Sequence, residues 1–309
     1  MTASSLEVRT LGLVFQNPIV LAAGTAGYGR ELREVTRLDR LGGLVTKAVS
    51  PEPRAGAPAP RVAEFEGGMI NAIGLANPGL DAVRETHLPW LASELPGTRK
   101  LVNVVGKVVE DYATVVRGLT DAPGVDAFEL NVSCPNVKAG GMEFGADPAA
   151  LAAVVRQSRE ATGRPVFVKL SPTLPNIAES ARIAVDAGAD ALTLVNTIPG
   201  LVVDVERRRP AIGFGSGGVS GHALLPVGVL ATWRVSRAVR VPLLGVGGVA
   251  SASDALQYIL AGASLVGVGT AALRDPRAPE RIIEQLGAWL ERHGVRSVGE
   301  LVGALEWPA

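Results

Sequence analysis

The sequence predicts an α/β protein folded as a (β/α)8 barrel. Short apolar runs recur eight times, amphipathic stretches that close near a glycine separate several of them, and 309 residues is an ordinary length for one such barrel. Aromatic residues are only 4% of the chain, so the core must be built from Val, Leu, Ile and Ala. That composition suits a parallel sheet covered on both faces. We interpret residues 1–309 as a single barrel domain.

Each predicted strand is an apolar run followed by turn residues or by a helical pattern. The eight runs are PIVLAAG (18–24), GLVTKAV (43–49), LVNVVG (101–106), DAFELNV (126–132), VFVKLS (166–171), DALTLVN (190–196), PLLGVGG (242–248) and SLVGVGT (264–270). Helices are predicted at 147–163, 176–189 and 251–263, with another near 80–95.

Composition argues against several classes of partner. Lys plus Arg and Asp plus Glu are both 30, so no basic excess recommends nucleic acid or an anionic membrane surface. No stretch approaches about 18 consecutive apolar residues, and MTASSLEVRT lacks the apolar segment of a signal peptide. A single cysteine fits a reducing compartment. We therefore expect a soluble, cytoplasmic protein that binds neither nucleic acid nor membrane.

Polar residues and glycines stand at the C-terminal ends of the predicted strands, which in a barrel converge on the mouth where active sites are built. Turn formation alone could explain the glycines and asparagines. It does not explain two lysines inside apolar strands, because a lysine is almost never buried without a partner. The strand-end residues interpreted as functional are Gly24, Lys47, Asn103, Asn131, Lys169, Asn196, Thr197, Gly247, Gly248, Gly269 and Thr270.

Two glycine motifs, GVGGVA (245–250) and GFGSGG (213–218), match the pattern of dinucleotide-binding turns. The first lacks an acidic residue about 20 positions later, and the second does not clearly follow a strand, so we reject NAD binding through either. Glycines after the seventh and eighth strands of many barrels instead hold a phosphate through backbone N–H groups. A phosphorylated ligand over the mouth is therefore predicted.

Two strand-to-helix connections are unusually long, at about 50–78 and 197–222. Long loops in compact domains tend to be functional or disordered, and both leave the C-terminal ends of strands, so we expect both insertions to cover the mouth. The first carries Asn71, whose amide could hydrogen-bond a planar polar ligand, and the middle of the second is typical of a two-stranded flap. The loop that holds Cys134 is a third cover.

Cys134, the only cysteine, lies in LNVSCPNVKAGGMEFG (130–145) after a predicted strand. No carboxylate pair stands out at the strand ends, no G-x-S-x-G or H-E-x-x-H motif occurs, and we interpret the three scattered histidines as structural; no metal site is predicted. A thiolate is available near neutral pH where cations lower its pKa, which makes Cys134 the candidate base or nucleophile. The alternative is a buried structural cysteine, against which the polar, proline-containing surroundings argue.

Five segments together resemble a known family. NVSCPNVKAGGMEFG, GGMINAIGLANPG, FVKLSP, the Asn-Thr pair at 196–197 and GVGGV resemble the family 1 dihydroorotate dehydrogenases, over about 13–286. They resemble the NAD-linked, two-subunit type (class 1B) more than the fumarate-using type. The resemblance implies a (β/α)8 barrel with FMN at its mouth and oxidation of (S)-dihydroorotate to orotate in de novo pyrimidine (UMP) biosynthesis. The membrane-associated class uses serine as its base, where this chain has Cys134.

The resemblance also implies residue roles. Cys134 would remove the C5 proton of dihydroorotate while hydride leaves C6 for the flavin N5, and Lys169 would lie by the flavin N1–C2 carbonyl and stabilise the reduced anion. The substrate would be held by Lys47, Asn71, Gly74, Leu75, Asn131, Asn136, Asn196 and Thr197. FMN would be held by Ala23, Gly24, Lys47, Ala48, Asn103, Asn131, Lys169, Val195, Gly221, Gly247, Gly248, Gly269 and Thr270. Lys47 would face both molecules, and Ala23 stands where the family often has serine, so a hydroxyl contact to FMN is lost there.

An iron–sulfur cluster of the ferredoxin type needs about four cysteines, so a chain with one cysteine cannot hold it. The NAD-linked resemblance therefore implies a separate subunit with FAD and a [2Fe–2S] cluster, docked on a homodimeric core as a heterotetramer. Three alternatives stay open. They are a fumarate-dependent or related dihydropyrimidine flavoenzyme, a flavin-free phosphate-binding isomerase or aldolase that uses Lys47 or Lys169, and a scaffold without catalysis.

Overall fold

The computed structural model describes residues 5–133 and 143–308, in which eight parallel strands close into a barrel. The predicted fold class is thereby confirmed. The barrel strands are β1 Ile19–Leu21, β2 Gly43–Val45, β3 Arg99–Val104, β4 Ala127–Asn131, β5 Val166–Leu170, β6 Ala191–Leu194, β7 Leu243–Val246 and β8 Leu265–Val268. Each strand pairs with the next, and β8 pairs with β1. All eight predicted strands are present, most of them shorter than their apolar runs.

Helices cover the outside of the barrel. They are α1 Leu80–Ala82, which continues through the π-helical turn Val83–His87 into α2 Leu88–Glu94, then α3 Val109–Leu119, α4 Pro148–Glu160, α5 Ile177–Asp186, α6 Leu225–Ser236, α7 Ala252–Leu260, α8 Thr270–Arg274 and α9 Ala278–Arg292. The predicted helices correspond to α1–α2, α4, α5 and α7. Asp147 caps α4 by accepting hydrogen bonds from two backbone N–H groups of its first turn. Within the described ranges no helix is long and apolar enough to cross a bilayer.

The barrel lumen has its own apolar cluster, separate from the larger core between strands and helices. Side chains alternate along a strand, so one set fills the lumen and the other packs against helices. Leu101, Ala127 and Phe167 belong to the lumen cluster, as does Phe15. Phe15 comes from an N-terminal hairpin, Val8–Thr10 with Leu13–Phe15, that the sequence analysis did not predict. Its ring lies against the first residue of β2, Gly43, at the amino end of the barrel.

Strands from the two long connections pair with each other in one small sheet. The first supplies the strands Val62–Phe65 and Gly68–Asn71, and the second supplies Ile198–Gly200 and Gly217–Ser220. Together they form a four-stranded antiparallel sheet, which we call the flap sheet. The predicted two-stranded flap is confirmed as a short ribbon within the second connection. The hairpin in the first connection was not predicted, because its strands are only four residues long and lie in a Pro- and Gly-rich segment.

Candidate active site

The ends of β4 and β6 are joined by asparagine side chains. The Oδ1 atom of Asn131, the last residue of β4, accepts a hydrogen bond from Asn196 Nδ2 at 3.2 Å and from the Ser133 N–H at 3.3 Å. Asn196 Oδ1 accepts from the Thr197 N–H at 2.9 Å. Within the described part of the chain, the Asn131 amide nitrogen makes no hydrogen bond. It is therefore the donor group that this pair offers to a ligand.

The flap sheet brings Asn71 to the same place. Asn71 pairs with Gly218 across the sheet, and its Nδ2 donates to the Gly218 carbonyl at 3.2 Å. Thr197 lies against the other side of this glycine, where any Cβ on Gly218 would collide with the Thr197 hydroxyl. Asn71, Thr197, Asn196 and Asn131 are therefore contiguous, although two of them come from insertions and two from strand ends.

A left-handed turn at Gly74 and Leu75 follows the flap strand Gly68–Asn71 in the chain. Both residues have positive φ angles, 66° and 56°, which is uncommon for a leucine. The buried Asn77 side chain holds the turn by donating to the Leu75 carbonyl and to Ser50 Oγ, both at 2.8 Å. Because Ser50 follows β2, this amide fixes the first insertion to the end of a barrel strand. Asn77 lies in the quoted motif NAIGLANPG, but the sequence analysis gave it no role.

Two lysines at the mouth, Lys47 and Lys169, have no acidic partner among the residues that the structure describes. Lys169 is only 6% exposed, within β5, and it is aligned with Asn131 of β4. Neither Lys169 nor Lys47 has a carboxylate oxygen within 4 Å of its ammonium group among the described residues. Lys100, equally buried at the opposite end of the barrel sheet, is paired with Asp126 at 3.3 Å. Because an unpartnered buried cation is costly, the Lys169 environment favours an anionic ligand.

A buried carboxylate lies deeper in the lumen. Glu129 of β4 accepts a hydrogen bond from Asn103 Nδ2 at 2.7 Å through Oε1 and from Thr193 Oγ1 at 2.8 Å through Oε2. All three side chains are at most 1% exposed. Asn103 is one of the predicted site residues, whereas Glu129 and Thr193 were not predicted. The signal was present in DAFELNV, since a charged residue inside an apolar strand is the same anomaly that identified the lysines.

Buried tyrosines hold the backbone of the site, although the sequence analysis gave them no role. Burial raises the pKa of Tyr28 and of Tyr258, so these phenols stay protonated and act as donors at neutral pH. All three tyrosines of the chain donate to the backbone carbonyl of a residue predicted to bind the cofactor. The pairs are Tyr28 with Ala48 at 3.0 Å, Tyr112 with Asn131 at 2.9 Å and Tyr258 with Gly247 at 2.8 Å.

The glycines after β7 take conformations that other residues avoid. Gly247 and Gly248 have φ angles of 131° and 74°. A Cβ atom on Gly248 would lie 2.5 Å from the backbone nitrogen of Leu225, the first residue of α6. Only glycine therefore allows this loop to pass so close to the start of the helix. His222 Nδ1 contacts the Gly248 carbonyl at 3.0 Å, so one of the three histidines borders the predicted phosphate site.

The loop after β8 meets the flap sheet. Thr270, the first residue of α8, donates from Oγ1 to Ser220 Oγ at 2.8 Å. Ser220 precedes Gly221, whose φ is 108° and which packs against the turn of the first flap hairpin. A Cβ built on Gly24 would have no heavy atom within 4 Å, whereas a Cβ on Gly269 would make ordinary contacts with Ala22 and Thr25 at 3.6 and 3.7 Å. Gly24 therefore borders open space that a ligand can occupy.

Of the remaining predicted site residues, some are described by the structure and others lie outside the described residues. Val195 is buried, and its N–H donates to the Val246 carbonyl at 2.9 Å, while Ala23 after β1 is partly buried. Cys134 and Asn136 lie outside the described residues. At the border of that segment, burial raises the pKa of the Glu143 carboxyl, and a hydrogen bond with Ser171 partly offsets the shift.

The whole chain is similar to one group of enzymes. The profile of the dihydroorotate dehydrogenase family matches residues 5–290. The chain is 49% identical over 298 residues to a protein of Desulforudis audaxviator, with 96% of each chain covered. It is 47% identical over 301 residues to a protein of Pelobacter propionicus, covering 97% of this chain and 98% of that one, and 45% identical over 305 residues to one of Geotalea uraniireducens, covering 99% of each. All three carry the name dihydroorotate dehydrogenase B (NAD(+)), catalytic subunit.

Proposed function

Because the chain belongs to the dihydroorotate dehydrogenase family, we propose that it is the catalytic subunit of an NAD-linked dihydroorotate dehydrogenase. It oxidises (S)-dihydroorotate to orotate in de novo pyrimidine biosynthesis. The family is flavin-dependent, and the flavin of this chain is FMN. The observation that carries the proposal is the buried Lys169 ammonium, which has no carboxylate within 4 Å among the described residues and lies beside the asparagines of the mouth.

The described residues fit FMN. The backbone N–H groups of Gly247, Gly248, Gly269 and Thr270 are suited to its phosphate, because such groups at loop and helix starts bind anions. Lys169 supplies a positive charge for the pyrimidine edge of the flavin ring. When bound, FMN supplies the two-electron acceptor for the hydride that leaves C6 of dihydroorotate.

The contiguous group of Asn71, Asn131, Asn196 and Thr197 binds the substrate. Asparagine amides offer donors and acceptors together, which matches the alternating N–H and C=O groups of a dihydropyrimidine ring. Lys47 adds a positive charge for the substrate carboxylate. We assign Asn136, Gly74 and Leu75 to the same binding set, following the resemblance of the NAIGLANPG and cysteine-loop motifs.

Cys134 is the base in this proposal. Its thiolate takes the proton from C5 of dihydroorotate, because a thiolate is the basic form of the side chain. The assignment rests on sequence, because Cys134 lies outside the described residues. A single unpaired cysteine also fits a reducing compartment, which supports a cytoplasmic location.

Electrons leave through a partner. A chain with one cysteine cannot hold a four-cysteine cluster, so the FAD and [2Fe–2S] groups belong to a separate subunit. The assembly that we propose is a homodimeric core carrying two such subunits, a heterotetramer. In support, the name of the compared relatives contains both NAD(+) and catalytic subunit.

Replacing Gly248 with alanine should lower the FMN content of the purified protein. The new Cβ would lie 2.5 Å from the Leu225 nitrogen at a positive φ, a strain on the order of 1–3 kcal/mol that displaces the loop. FMN per chain and the thermal midpoint measure the effect. Gly97→Ala is the matched control, because a Cβ there has no heavy atom within 4 Å. A Gly248→Ala protein with full FMN content would contradict the assigned phosphate site.

The test of the function is an anaerobic titration of the purified, FMN-loaded chain with dihydroorotate. Bleaching of the flavin absorbance at about one equivalent per FMN is expected, and a yellow protein that does not bleach would show that dihydroorotate is not the substrate.

Fumarate and NAD⁺ are then compared as acceptors, with and without the partner subunit. Efficient NAD⁺ reduction by the chain alone would disprove the need for that subunit. Trapping of a Schiff base by borohydride in a protein that cannot take up FMN would favour the aldolase alternative.

A further inference from the structure

Glu129 is an unusual residue for a barrel lumen. Its carboxylate is 1% exposed, and both oxygens accept hydrogen bonds from neutral donors, Asn103 and Thr193. No cation lies within 4 Å of it among the described residues. A buried carboxylate without a cationic partner is costly, and an apolar or amide side chain of similar size would fill the space at less cost. The hydrogen bonds that Glu129 makes between strands therefore do not by themselves explain why a charged side chain occupies this position.

The strand register places this carboxylate directly under the mouth. Asn131 of β4 is aligned with Lys169 of β5, and Lys169 is aligned with Thr193 of β6. Since Glu129 precedes Asn131 by two residues, it points to the same face, about 6.6 Å lower along the strand. Its bond to Thr193 passes in front of β5 on the lumen side. In the part of the chain that the structure describes, the lumen thus holds a buried carboxylate one layer below a buried ammonium group that has no carboxylate oxygen within 4 Å.

The carboxylate also fixes an amide. Asn103 Nδ2 donates to Glu129 at 2.7 Å, so the amide plane of Asn103 is set by this bond and its Oδ1 is directed away from the carboxylate. An amide held in this way presents an acceptor to a ligand, whereas a freely rotating amide could present either group. The Thr193 hydroxyl holds the second oxygen and so keeps the carboxylate itself in place.

We propose that Glu129 is a positioning residue for the flavin and that it acts in two ways. It orients the Asn103 amide, and its negative charge counteracts the positive charge of Lys169, so the reduction potential of the flavin is lowered. The inference rests on the proposed function only in requiring a flavin at the mouth. A negative charge within the lumen disfavours the electron-rich reduced flavin, and the low dielectric constant of the interior makes its effect larger than in water. Glu129 touches no reacting atom in this account and acts through Asn103 and through its field.

The decisive variant is Glu129→Gln, which keeps the shape and removes the charge. The midpoint potential of the FMN-loaded protein is measured by spectroelectrochemistry with a chemical reductant, so the result does not depend on dihydroorotate. We expect a rise corresponding to about a tenfold change in the equilibrium constant of reduction, or about 30 mV for a two-electron couple. A failure of dihydroorotate to bleach the wild-type flavin would sink the proposed function but leave this measurement intact.

Thr193→Val gives a second test with the opposite sign. It removes one donor and leaves the carboxylate less neutralised, so the potential should fall slightly. Thr232→Val is the matched control, because Thr232 is equally buried in α6 and its hydroxyl has no partner in the described part of the chain. An unchanged potential in Glu129→Gln would overturn the proposal and leave Glu129 a purely structural residue. If Glu129→Gln fails to bind FMN, an unchanged potential in Thr193→Val would overturn it instead.

Discussion

Replacing Cys134 with alanine should slow the reduction of bound flavin by dihydroorotate about 10²- to 10⁴-fold at neutral pH, the usual contribution of a positioned base. FMN binding should be unchanged, because the phosphate and ring contacts come from other residues. The measurement is stopped-flow absorbance under anaerobic conditions. Bleaching of the alanine variant at the wild-type rate would remove Cys134 from the mechanism.

A serine at the same position separates the thiol's basicity from its volume. A thiol has a reference pKa of about 8.5, which nearby cations lower, whereas a serine hydroxyl is far less acidic, so its alkoxide fraction is very small near neutral pH and grows as pH rises. The Cys134→Ser variant should therefore lose most activity near neutral pH and regain part of it as pH rises. Ser133→Ala is the matched control, since the adjacent hydroxyl is buried without a partner in the described part of the chain. A serine variant with the wild-type pH profile would show that the thiolate is not the base.

The barrel could be predicted because its signals are local. Each strand is a β-branched or apolar run, and residues such as Asn131 and Lys169 mark the ends that meet at the mouth. The N-terminal hairpin and the first flap hairpin were missed because strands of three or four residues give too little alternation to detect. Their pairing is instead stabilised by long-range contacts. Asn71, for example, is aligned with Gly218 only once both insertions have folded together.

The candidate site was predicted as a set of residues but not as a network. Lys169 and Asn103 are visible in the sequence because polar side chains interrupt apolar strands. The link from Asn103 through Glu129 to Thr193 depends on the register of four strands, which no single strand encodes. The tyrosine contacts are equally hidden, because a phenol that donates to a backbone carbonyl leaves no pattern in the residue it binds. The sequence therefore identifies the residues expected to contact a ligand better than it identifies the residues that position those side chains.

Lys169 offers the largest expected effect among the described residues. Lys169→Met keeps most of the length of the side chain and removes its charge, so the reduced flavin loses a stabilising partner. The equilibrium constant of flavin reduction should fall about 10- to 100-fold, or about 30–60 mV, and the rate of reduction by dihydroorotate should fall about 10²-fold. Spectroelectrochemistry and stopped-flow absorbance measure the two quantities on the same preparation.

The same substitution should have the opposite effect on the flavin-free protein. Without a ligand, the buried ammonium has no carboxylate within 4 Å among the described residues, so its removal should raise the free energy of unfolding by on the order of 1–3 kcal/mol. Lys100→Met is the control, because that equally buried lysine is paired with Asp126 and lies at the opposite end of the barrel from the mouth. Its loss should lower stability by on the order of 1–2 kcal/mol and leave the potential unchanged. If both variants lower stability alike, Lys169 has a structural partner, and the argument for an anionic ligand at the mouth fails.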